Sequence, residues 1–293
     1  MKGIWAAALT PVNERFEPDA PRAIAYWSEL LDRGCDGIAA LGTTGEAMSF
    51  GVELRVAFME ALAASDLPMD RTIVGTGASS LTDTARLTRC AFDCGFSRAL
   101  IMPPFFFRDV CDDGVVAFFD ALLSTTRVPP RGVILYNFPR MSGITFDLEL
   151  TSRLVAAFGD RIAGIKDSSN DAQLQAEILA RHPSLDVFPG SESDLDAALA
   201  AGAAGCISGS VALWPRLARE VFAGRARERA EELSRRRAAL AGPPLVPAMR
   251  SLTARLRSDP QWERAMPPQA PLTDQQRRGL ERATQALVEA QRA

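Results

Sequence analysis

The sequence predicts an α/β fold, a (β/α)8 TIM barrel followed by a C-terminal helical extension. Short apolar runs rich in β-branched residues alternate with longer amphipathic segments, and the alternation repeats from Ile4 to about Ala223. Eight strand candidates are enough to close a parallel sheet into a barrel, and a chain of 293 residues is ordinary for such a barrel.

The predicted strands and helices follow one another in the order that a parallel sheet requires. The strand candidates are short and apolar: Ile4–Leu9, Gly37–Leu41, Thr72–Gly75, Ala99–Met102, Val133–Tyr136, Ile162–Lys166, Asp186–Phe188 and Gly205–Ser208. The helix candidates have apolar residues at helical spacing: Ala20–Arg33, Val52–Ala64, Thr82–Cys94, Gly114–Ser124, Leu148–Phe158, Ala172–Arg181, Ser193–Ala201 and Leu213–Phe222.

The remainder of the chain has a different composition. From Arg225 onward it is rich in Arg, Glu and Ala and is interrupted at Gly242-Pro243-Pro244 and at Met266-Pro267-Pro268, which predicts three helices with stiff connections. The stretch Arg225–Arg237 is typical of a solvated charged face. We therefore expect a catalytic barrel over residues 1–224 and a C-terminal helical region over residues 225–293.

Composition excludes several classes of partner. The chain is 47% hydrophobic and 24% charged, with a formal net charge of −3, so neither nucleic acid nor an anionic membrane is expected as a partner. The apolar run Ile4–Leu9 is too short for a signal-peptide core, and no later stretch is long and apolar enough to span a bilayer. These patterns predict a cytoplasmic protein that acts on small molecules.

The cysteines do not form a recognisable framework. There are five, Cys35, Cys90, Cys94, Cys111 and Cys206, an odd and scattered set that argues against structural disulfides. Cys90 and Cys94 lie one helical turn apart, but no CxxC motif or second pair accompanies them and the chain has one histidine. We expect buried thiols and no metal site.

Lysine and tyrosine are scarce. Lys2 and Lys166 are the only lysines and Tyr26 and Tyr136 the only tyrosines, whereas arginine supplies nearly all other positive charge. A lone internal lysine in such a sequence indicates a need for an amine that can lose its proton, which arginine cannot provide. The alternative is an ordinary surface lysine.

Catalytic residues of such barrels lie where strands end and the following loops begin. The polar residues at these places are Thr10, Gly42-Thr43-Thr44-Gly45-Glu46, Tyr136-Asn137, Lys166-Asp167-Ser168-Ser169, Gly190-Ser191-Glu192 and Ser208-Gly209. Tyr136 and Lys166 end the fifth and sixth strands, and neighbouring strands run about 4.8 Å apart. We therefore expect both side chains to reach one pocket.

An amine and a phenol in one pocket suit imine chemistry. A neutral lysine condenses with a 2-oxo acid, and the protonated imine then accepts electrons from an adjacent carbon–carbon bond. Tyr136 is the candidate proton carrier. His182, the one histidine, precedes Pro183 in a predicted helix-to-strand loop and is not expected to take part.

The loop Gly42-Thr43-Thr44-Gly45-Glu46 follows a strand and precedes a helix. Its glycines permit a tight turn, and its backbone N–H groups and two hydroxyls suit a bound carboxylate. A helix N-cap at Thr44 is the alternative interpretation.

Together, Gly42-Thr43-Thr44-Gly45-Glu46, Tyr136-Asn137-Phe138-Pro139 and Gly164-Ile165-Lys166-Asp167 resemble the dihydrodipicolinate synthase and N-acetylneuraminate lyase family. The resemblance runs from Leu9-Thr10-Pro11 through Cys206-Ile207-Ser208-Gly209. It implies a homotetramer, a dimer of dimers, in which Lys166 forms a Schiff base with pyruvate without metal or organic cofactor. It further implies that Tyr136 shuttles protons, that Thr43 and Thr44 hold the pyruvate carboxylate, with Thr44 also catalytic, and that Thr10 and Ile207 contact substrate.

Two departures from the family pattern bear on the substrate. Members that make the lysine precursor carry an arginine where this chain has Met141; Arg140 is adjacent but is expected to point elsewhere unless the loop shifts. Those members also place a tyrosine from a neighbouring subunit in the loop after the fourth strand. Phe106 stands there and has no hydroxyl. A second carboxylate on the substrate would then lack a partner.

In the sugar-acid members, residues after the seventh and eighth strands contact substrate hydroxyls. Gly190, Glu192 and Ser208 occupy those places here, although Glu192 could equally cap the next helix. A 2-keto-3-deoxy sugar acid, cleaved to pyruvate and an aldehyde, is the preferred expectation. The alternatives are a dihydrodipicolinate synthase, a keto-sugar-acid dehydratase and a barrel that binds keto acids without turnover. A phosphate-binding aldolase is weaker, because Gly190-Ser191 and Gly209-Ser210 are turns common to many barrels.

Overall fold

Eight strands alternate with helices in the computed structural model, which describes residues 1–224 and 227–292. The strands are β1 Gly3–Ala7, β2 Gly37–Ala40, β3 Thr72–Gly75, β4 Arg98–Ile101, β5 Val133–Asn137, β6 Ile162–Asp167, β7 Asp186–Pro189 and β8 Gly205–Ser208. The helices of the barrel are α1 Ala20–Asp32, α2 Val52–Ala63, α3 Leu81–Asp93, α4 Asp112–Thr125, α5 Pro139–Ser142, α6 Leu148–Phe158, α7 Ala172–Arg181, α8 Leu195–Ala200 and α9 Pro215–Phe222.

The strands form one parallel sheet that curls almost into a closed barrel. Their order is β7-β6-β5-β4-β3-β2-β1-β8, so every strand pairs with its neighbour in sequence and β1 also pairs with β8. Between the two end strands, Ala204 N, just before β8, donates to Val187 O of β7 at 2.9 Å. The (β/α)8 barrel predicted from the alternation is confirmed.

The observed boundaries of strands and helices differ from the predicted ones mainly where a buried apolar run is longer than the strand that pairs in the sheet. Strand pairing ends at Ala7, whereas the buried apolar run continues through Leu9. The last barrel helix begins at Pro215, because the residues before it form a separate short turn, Ser210–Leu213, and proline suits a first helical turn. The short helix α5 was not predicted; its four residues are too few for a periodic pattern.

The core has two layers. Inside the barrel, side chains that point inward from alternate strand positions pack together: Trp5, Ile73, Leu100, Ile134, Tyr136, Phe188 and Ile207 are among them. Outside, the opposite face of each strand packs against the surrounding helices. Because Tyr136 belongs to the inner layer, its ring closes the apolar interior at the carboxyl end of the sheet.

Among the residues that the structure describes, three α-helices follow the barrel, as predicted: α10 Arg227–Ala238, α11 Leu245–Arg257 and α12 Asp274–Arg292. Arg225, Ala226 and Ala293 of the predicted C-terminal region lie outside the described residues. Buried residues of α11, including Met249 and Leu252, share one hydrophobic cluster with Ile4 and Leu9 of the barrel. The appended helices therefore pack against the barrel itself.

Within the part of the chain described, no helix is long and apolar enough to cross a bilayer, and no group of three or more His, Cys, Asp or Glu side chains is placed to hold a metal ion. All five cysteines are free thiols. Cys35 and Cys206 are buried, Cys90 and Cys94 are half-buried with their Sγ atoms 3.9 Å apart, and Cys111 is exposed.

Candidate active site

Tyr136 and Lys166 occupy paired positions at the carboxyl ends of β5 and β6. The Nζ atom of Lys166 lies 4.3 Å from the centroid of the Tyr136 ring, and each residue is only 4% exposed. The face of the ring thus shields the amine from water. Two side chains that the sequence placed at neighbouring strand ends meet in the structure.

Thr43 completes the contact from the other side of the barrel mouth. Its Oγ1 lies 3.1 Å from the Tyr136 hydroxyl, within hydrogen-bonding distance. Thr43 thus contacts Tyr136, and Tyr136 contacts Lys166. This series of contacts links the loop after β2 to the amine. A phenol held at both its ring and its hydroxyl has one orientation in which to exchange a proton with a bound substrate.

The loop that carries Thr43 turns sharply. Leu41 and Glu46 both have positive φ, 49° and 54°, which non-glycine residues adopt rarely. A Cβ at Gly45 would lie 3.0 Å from Thr10 Oγ1 and 3.1 Å from Ala8 O, so the loop passes close to the end of β1. A side chain there would require Thr10 or the backbone of Ala8 to move by a few tenths of an ångström, so glycine suits this close approach.

Thr44, the next residue of the loop, lies beside the turn after β8. A Cβ at Gly209 would lie 2.7 Å from Thr44 Oγ1, so the turn after β8 provides the space in which Thr44 sits. The next α-helix, α2, begins at Val52 with Gly51 as its N-cap, and the short turn before it has no side-chain cap. Thr44 therefore caps no helix, and its hydroxyl is available to a ligand.

Glu46, the last residue of the loop motif, is held from the C-terminal region. Its carboxylate accepts a 2.7 Å hydrogen bond from Arg250 Nε of α11 and a second contact from Arg250 Nη2. Arg250 Nη2 also donates to Thr10 O at 2.9 Å, and Met266 N donates to the other oxygen of Glu46 at 3.2 Å. Loop, first strand and appended helices are thereby joined in one buried network.

Asn137 and Asp167 follow Tyr136 and Lys166 and are also paired in register. Asn137 Nδ2 donates to Asp167 Oδ1 at 2.7 Å, and Asn137 Oδ1 accepts from the backbone N–H of Phe146 at 2.9 Å. The other oxygen of Asp167 accepts from Ser169 Oγ at 2.8 Å and from Gln175 Nε2 at 2.7 Å. These bonds fix the two strand ends relative to each other, and with them the amine and the phenol.

The amine and the phenol face a cavity of about 480 Å³ at the mouth of the barrel. Its wall includes five residues that the sequence analysis predicted for the site: Thr43, Thr44, Tyr136, Lys166 and Gly190. The strand-end residues Ser168, Ser169, Ser191 and Gly209 line it as well. A cavity of this size holds a small organic acid, and the amine of Lys166 is among its lining groups.

Other nominated residues lie outside this cavity. Thr10 is fully buried behind the loop, Ile207 packs inside the barrel, and Phe106 is 75% exposed on the loop after β4. Ser208 Oγ donates to Glu192 at 2.5 Å, and Trp214 Nε1 donates to the same carboxylate at 3.2 Å. Glu192 thus bonds these two side chains rather than capping α8, whose first turn has no side-chain cap.

His182 lies away from the cavity, as the sequence indicated. It follows the last residue of α7, and its Nε2 is 2.8 Å from Ser152 Oγ of α6. Burial lowers the pKa of this imidazole, which favours its neutral form.

Part of the cavity wall was not foreseen. Arg140 and Met141 of α5 both line it, although Arg140 was expected to point elsewhere. The C-terminal region adds Arg237 of α10, Pro244, Leu245 and Val246 around the start of α11, and Gln269. No local pattern distinguishes these residues from other surface positions, so single-sequence reasoning had no signal by which to find them.

The sequence profile of the Dihydrodipicolinate synthetase family matches residues 1–286. The chain belongs to this family. It is therefore a lyase or aldolase by class. The family assignment made from the three motifs is confirmed.

Similarity to individual proteins extends over most of the chain. An uncharacterized DapA-like lyase from Chloroflexus aurantiacus is 37% identical over 222 residues, 75% of this chain and 74% of that protein. The crystal structure of dihydrodipicolinate synthase from Agrobacterium tumefaciens is 29% identical, covers 98% of this chain and 99% of that one, and superposes with a TM-score of 0.90. A 2-keto-3-deoxygluconate aldolase variant from Sulfolobus solfataricus, 20% identical over 98% of this chain and 97% of that one, has the same fold with a TM-score of 0.86.

Proposed function

We propose that this family member reversibly cleaves a 2-keto-3-deoxy sugar acid, or a related 4-hydroxy-2-oxo acid, to pyruvate and an aldehyde. The observation that carries the proposal is the contact of the Lys166 amine with the ring of Tyr136, whose hydroxyl lies 3.1 Å from Thr43 Oγ1. A shielded amine, a positioned phenol and hydroxyl groups suited to a carboxylate are what imine formation with a 2-oxo acid requires.

In the cleavage direction, the neutral Lys166 amine attacks the keto carbon and water leaves, giving a protonated imine. Removal of the proton from the C4 hydroxyl then breaks the C3–C4 bond, releases the aldehyde and sends the bonding electrons into the imine as an enamine. Protonation at C3 and hydrolysis release pyruvate and regenerate the amine. We assign the proton transfers to Tyr136, and the substrate carboxylate to Thr43 and Thr44.

The test is reductive trapping. Borohydride added with pyruvate should convert the imine to a stable secondary amine, and peptide mapping should place the added mass on the peptide containing Lys166. Lys166→Met should abolish both the adduct and turnover, whereas Lys2→Met, which removes the other lysine, should change neither. An adduct on Lys2, or no adduct in the unaltered protein, would contradict the proposal.

A second candidate, condensation of pyruvate with aspartate semialdehyde, is favoured by the position of Arg140. Arg140 lines the cavity beside Met141, so a guanidinium is available although the expected position lacks one. The similarity to a synthase of known structure points the same way. Product analysis with pyruvate plus aspartate semialdehyde and with 2-keto-3-deoxygluconate separates the two. The latter assay also distinguishes an aldolase, which releases pyruvate, from a dehydratase, which releases water and no aldehyde.

We also propose that the barrel of residues 1–224 and the helical region of residues 225–293 act together in a homotetramer in the cytoplasm. The adjacent exposed rings of Phe106 and Phe107, whose centroids lie 5.2 Å apart, support association, because contiguous exposed apolar groups mark contact surfaces between proteins. Sedimentation velocity would give the mass of the assembly. A single species at the 31.6 kDa of one chain would contradict the tetramer.

A further inference from the structure

Two cysteine side chains meet on the outside of the barrel. Cys90 and Cys94 lie one turn apart at the C-terminal end of α3, where Cys94 N donates to Cys90 O at 2.9 Å. Their Sγ atoms are 3.9 Å apart. Both side chains are half-buried and pack against the hydrophobic cluster between the strands and the surrounding helices. The spacing in the sequence does not require the two sulfurs to meet, and this contact is what the structure adds.

A direct disulfide does not fit this pair. Cβ atoms one turn apart on a helix are about 5–6 Å from each other, whereas a disulfide needs a separation of about 3.5–4.5 Å. Because the backbone hydrogen bond between Cys94 and Cys90 fixes the turn, closing that difference would require the end of the helix to unwind. The sulfurs are thus placed for a bridge through a third atom and not for a bond to each other.

A soft metal ion supplies such a bridge. An ion that bonds each sulfur at roughly 2.2–2.3 Å holds the two sulfurs about 3.8 Å apart in tetrahedral coordination and about 4.5 Å apart in linear coordination. The observed 3.9 Å lies in that range. Among the residues that the structure describes, no third His, Cys, Asp or Glu side chain joins the pair, so an ion that needs four protein ligands, as structural zinc does, is poorly served. Cu(I) prefers thiolates and accepts two of them.

The charge around the pair favours a cation as the ligand. The thiols occupy the last turn of α3, where the helix dipole attracts positive charge. Burial raises the pKa of both thiols, and the carboxylates of Glu60 on α2 and Asp93 on α3 add to that effect. Arg86, one turn before Cys90, forms an ion pair with Glu53. The thiols therefore stay protonated until a cation that bonds sulfur strongly displaces the protons.

We propose that Cys90 and Cys94 form a binding site for a thiophilic metal ion, Cu(I), coordinated by their two sulfur atoms. Each thiol loses one proton when the ion binds, and the copper keeps its oxidation state, so neither an oxidant nor a reductant is needed. Helix α3 belongs to the outer layer of the barrel, and neither cysteine lines the cavity that contains Lys166. The site is therefore separate from the imine chemistry and does not depend on the proposed function.

The affinity is measured without oxygen by competition with bicinchoninate, which forms a coloured Cu(I) complex. The unaltered full chain should withdraw one Cu(I) from that complex. Cys90→Ser and Cys94→Ser should each lower the affinity by roughly 100-fold or more, because a single thiolate binds without its chelating partner. Cys111→Ser is the matched control, since it removes a lone exposed thiol and should leave the affinity unchanged.

Far-UV circular dichroism checks that the variants are folded. X-ray absorption of the unaltered protein loaded with Cu(I) should show two sulfur neighbours around the metal, a result that needs no variant. One sulfur neighbour or none, or failure to take up Cu(I), would overturn the proposal. Unchanged affinity in folded Cys90→Ser and Cys94→Ser, or a loss of affinity in Cys111→Ser, would overturn it as well.

Discussion

Arg250 and Glu46 form a buried ion pair although 204 positions separate them in the sequence. Arg250 is 1% exposed and Glu46 is 5% exposed. The guanidinium of Arg250 also donates a hydrogen bond to the backbone carbonyl of Thr10. The pair joins α11 to the loop that carries Thr43 and Thr44. Because Glu46 also adopts a left-handed backbone conformation, the ion pair supports a turn that the local sequence alone would not stabilise.

Breaking this pair should destabilise the protein strongly. Arg250→Met leaves the Glu46 carboxylate buried without its partner, and the expected loss in free energy of unfolding is about 3–5 kcal/mol. Urea denaturation measures it, and the KM for the 2-oxo acid should rise because the loop is released. Arg229→Met, which removes surface ion pairs with Glu220 and Glu232, should cost less than about 1 kcal/mol. Equal losses in the two variants would show that burial of the pair does not matter.

Tyr136→Phe should separate shielding of the amine from proton transfer. The ring over Lys166 is kept, but the hydroxyl that lies within hydrogen-bonding distance of Thr43 is removed. We expect kcat to fall by about 10²- to 10⁴-fold, the usual contribution of a positioned acid–base group, with the unfolding free energy little changed. Retention of more than a tenth of the original kcat would rule out Tyr136 as the proton carrier.

Thr43 offers a matched pair of substitutions. Thr43→Ser keeps a hydroxyl near the Tyr136 phenol, whereas Thr43→Val keeps the shape and removes the hydrogen bond. We expect Thr43→Val to lower kcat/KM by roughly tenfold, the value of one hydrogen bond, and Thr43→Ser to stay within about threefold. Steady-state pyruvate release is the measurement. If both variants lower kcat/KM to a similar extent, the packing of Thr43, and not its hydrogen bond to Tyr136, would explain the loss.

The thiols should react at very different rates. Burial raises the pKa of Cys35 to about 12 and that of Cys206 well above its usual value. Both side chains therefore remain protonated at pH 8. Thiol reagents react with the thiolate, so these two cysteines should react slowly. Desolvation likewise raises the pKa of Cys90 to about 12 and that of Cys94. Titration of the folded protein with a thiol reagent should therefore give one fast group, exposed Cys111, and four that react fully only after unfolding. Rapid reaction of two or more thiols in the native state would disagree with this placement.

The contact between Tyr136 and Lys166 could be predicted from the sequence because it depends on local rules. Strand ends follow from apolar runs, neighbouring strands from chain order, and the rarity of lysine singled out Lys166. The structure pairs Tyr136 with Lys166 in register, as those rules require. Each step uses information within a few tens of residues.

Arg250 and Arg237 could not be found in that way. Their partners or neighbours lie in the barrel, and their positions depend on how α10 and α11 pack, which a single sequence does not encode in any local pattern. The direction of Glu192 was equally undetermined, since a carboxylate after a strand can face a ligand, cap a helix or, as here, bond to Ser208 and Trp214. Contacts between residues that are far apart in the sequence determine which of these partners Glu192 has.

The wall of the cavity is built from two parts of the chain, the barrel and the segments that follow it. The amine and the phenol stand on strands that the whole barrel depends on, whereas Arg237, Leu245, Val246 and Gln269 stand on appended segments. Substitutions in those segments would change the outer wall while Lys166 and Tyr136 stayed in place. Chimeras that exchange the residues after Gly224 between relatives are thus a natural route to new aldehyde preferences.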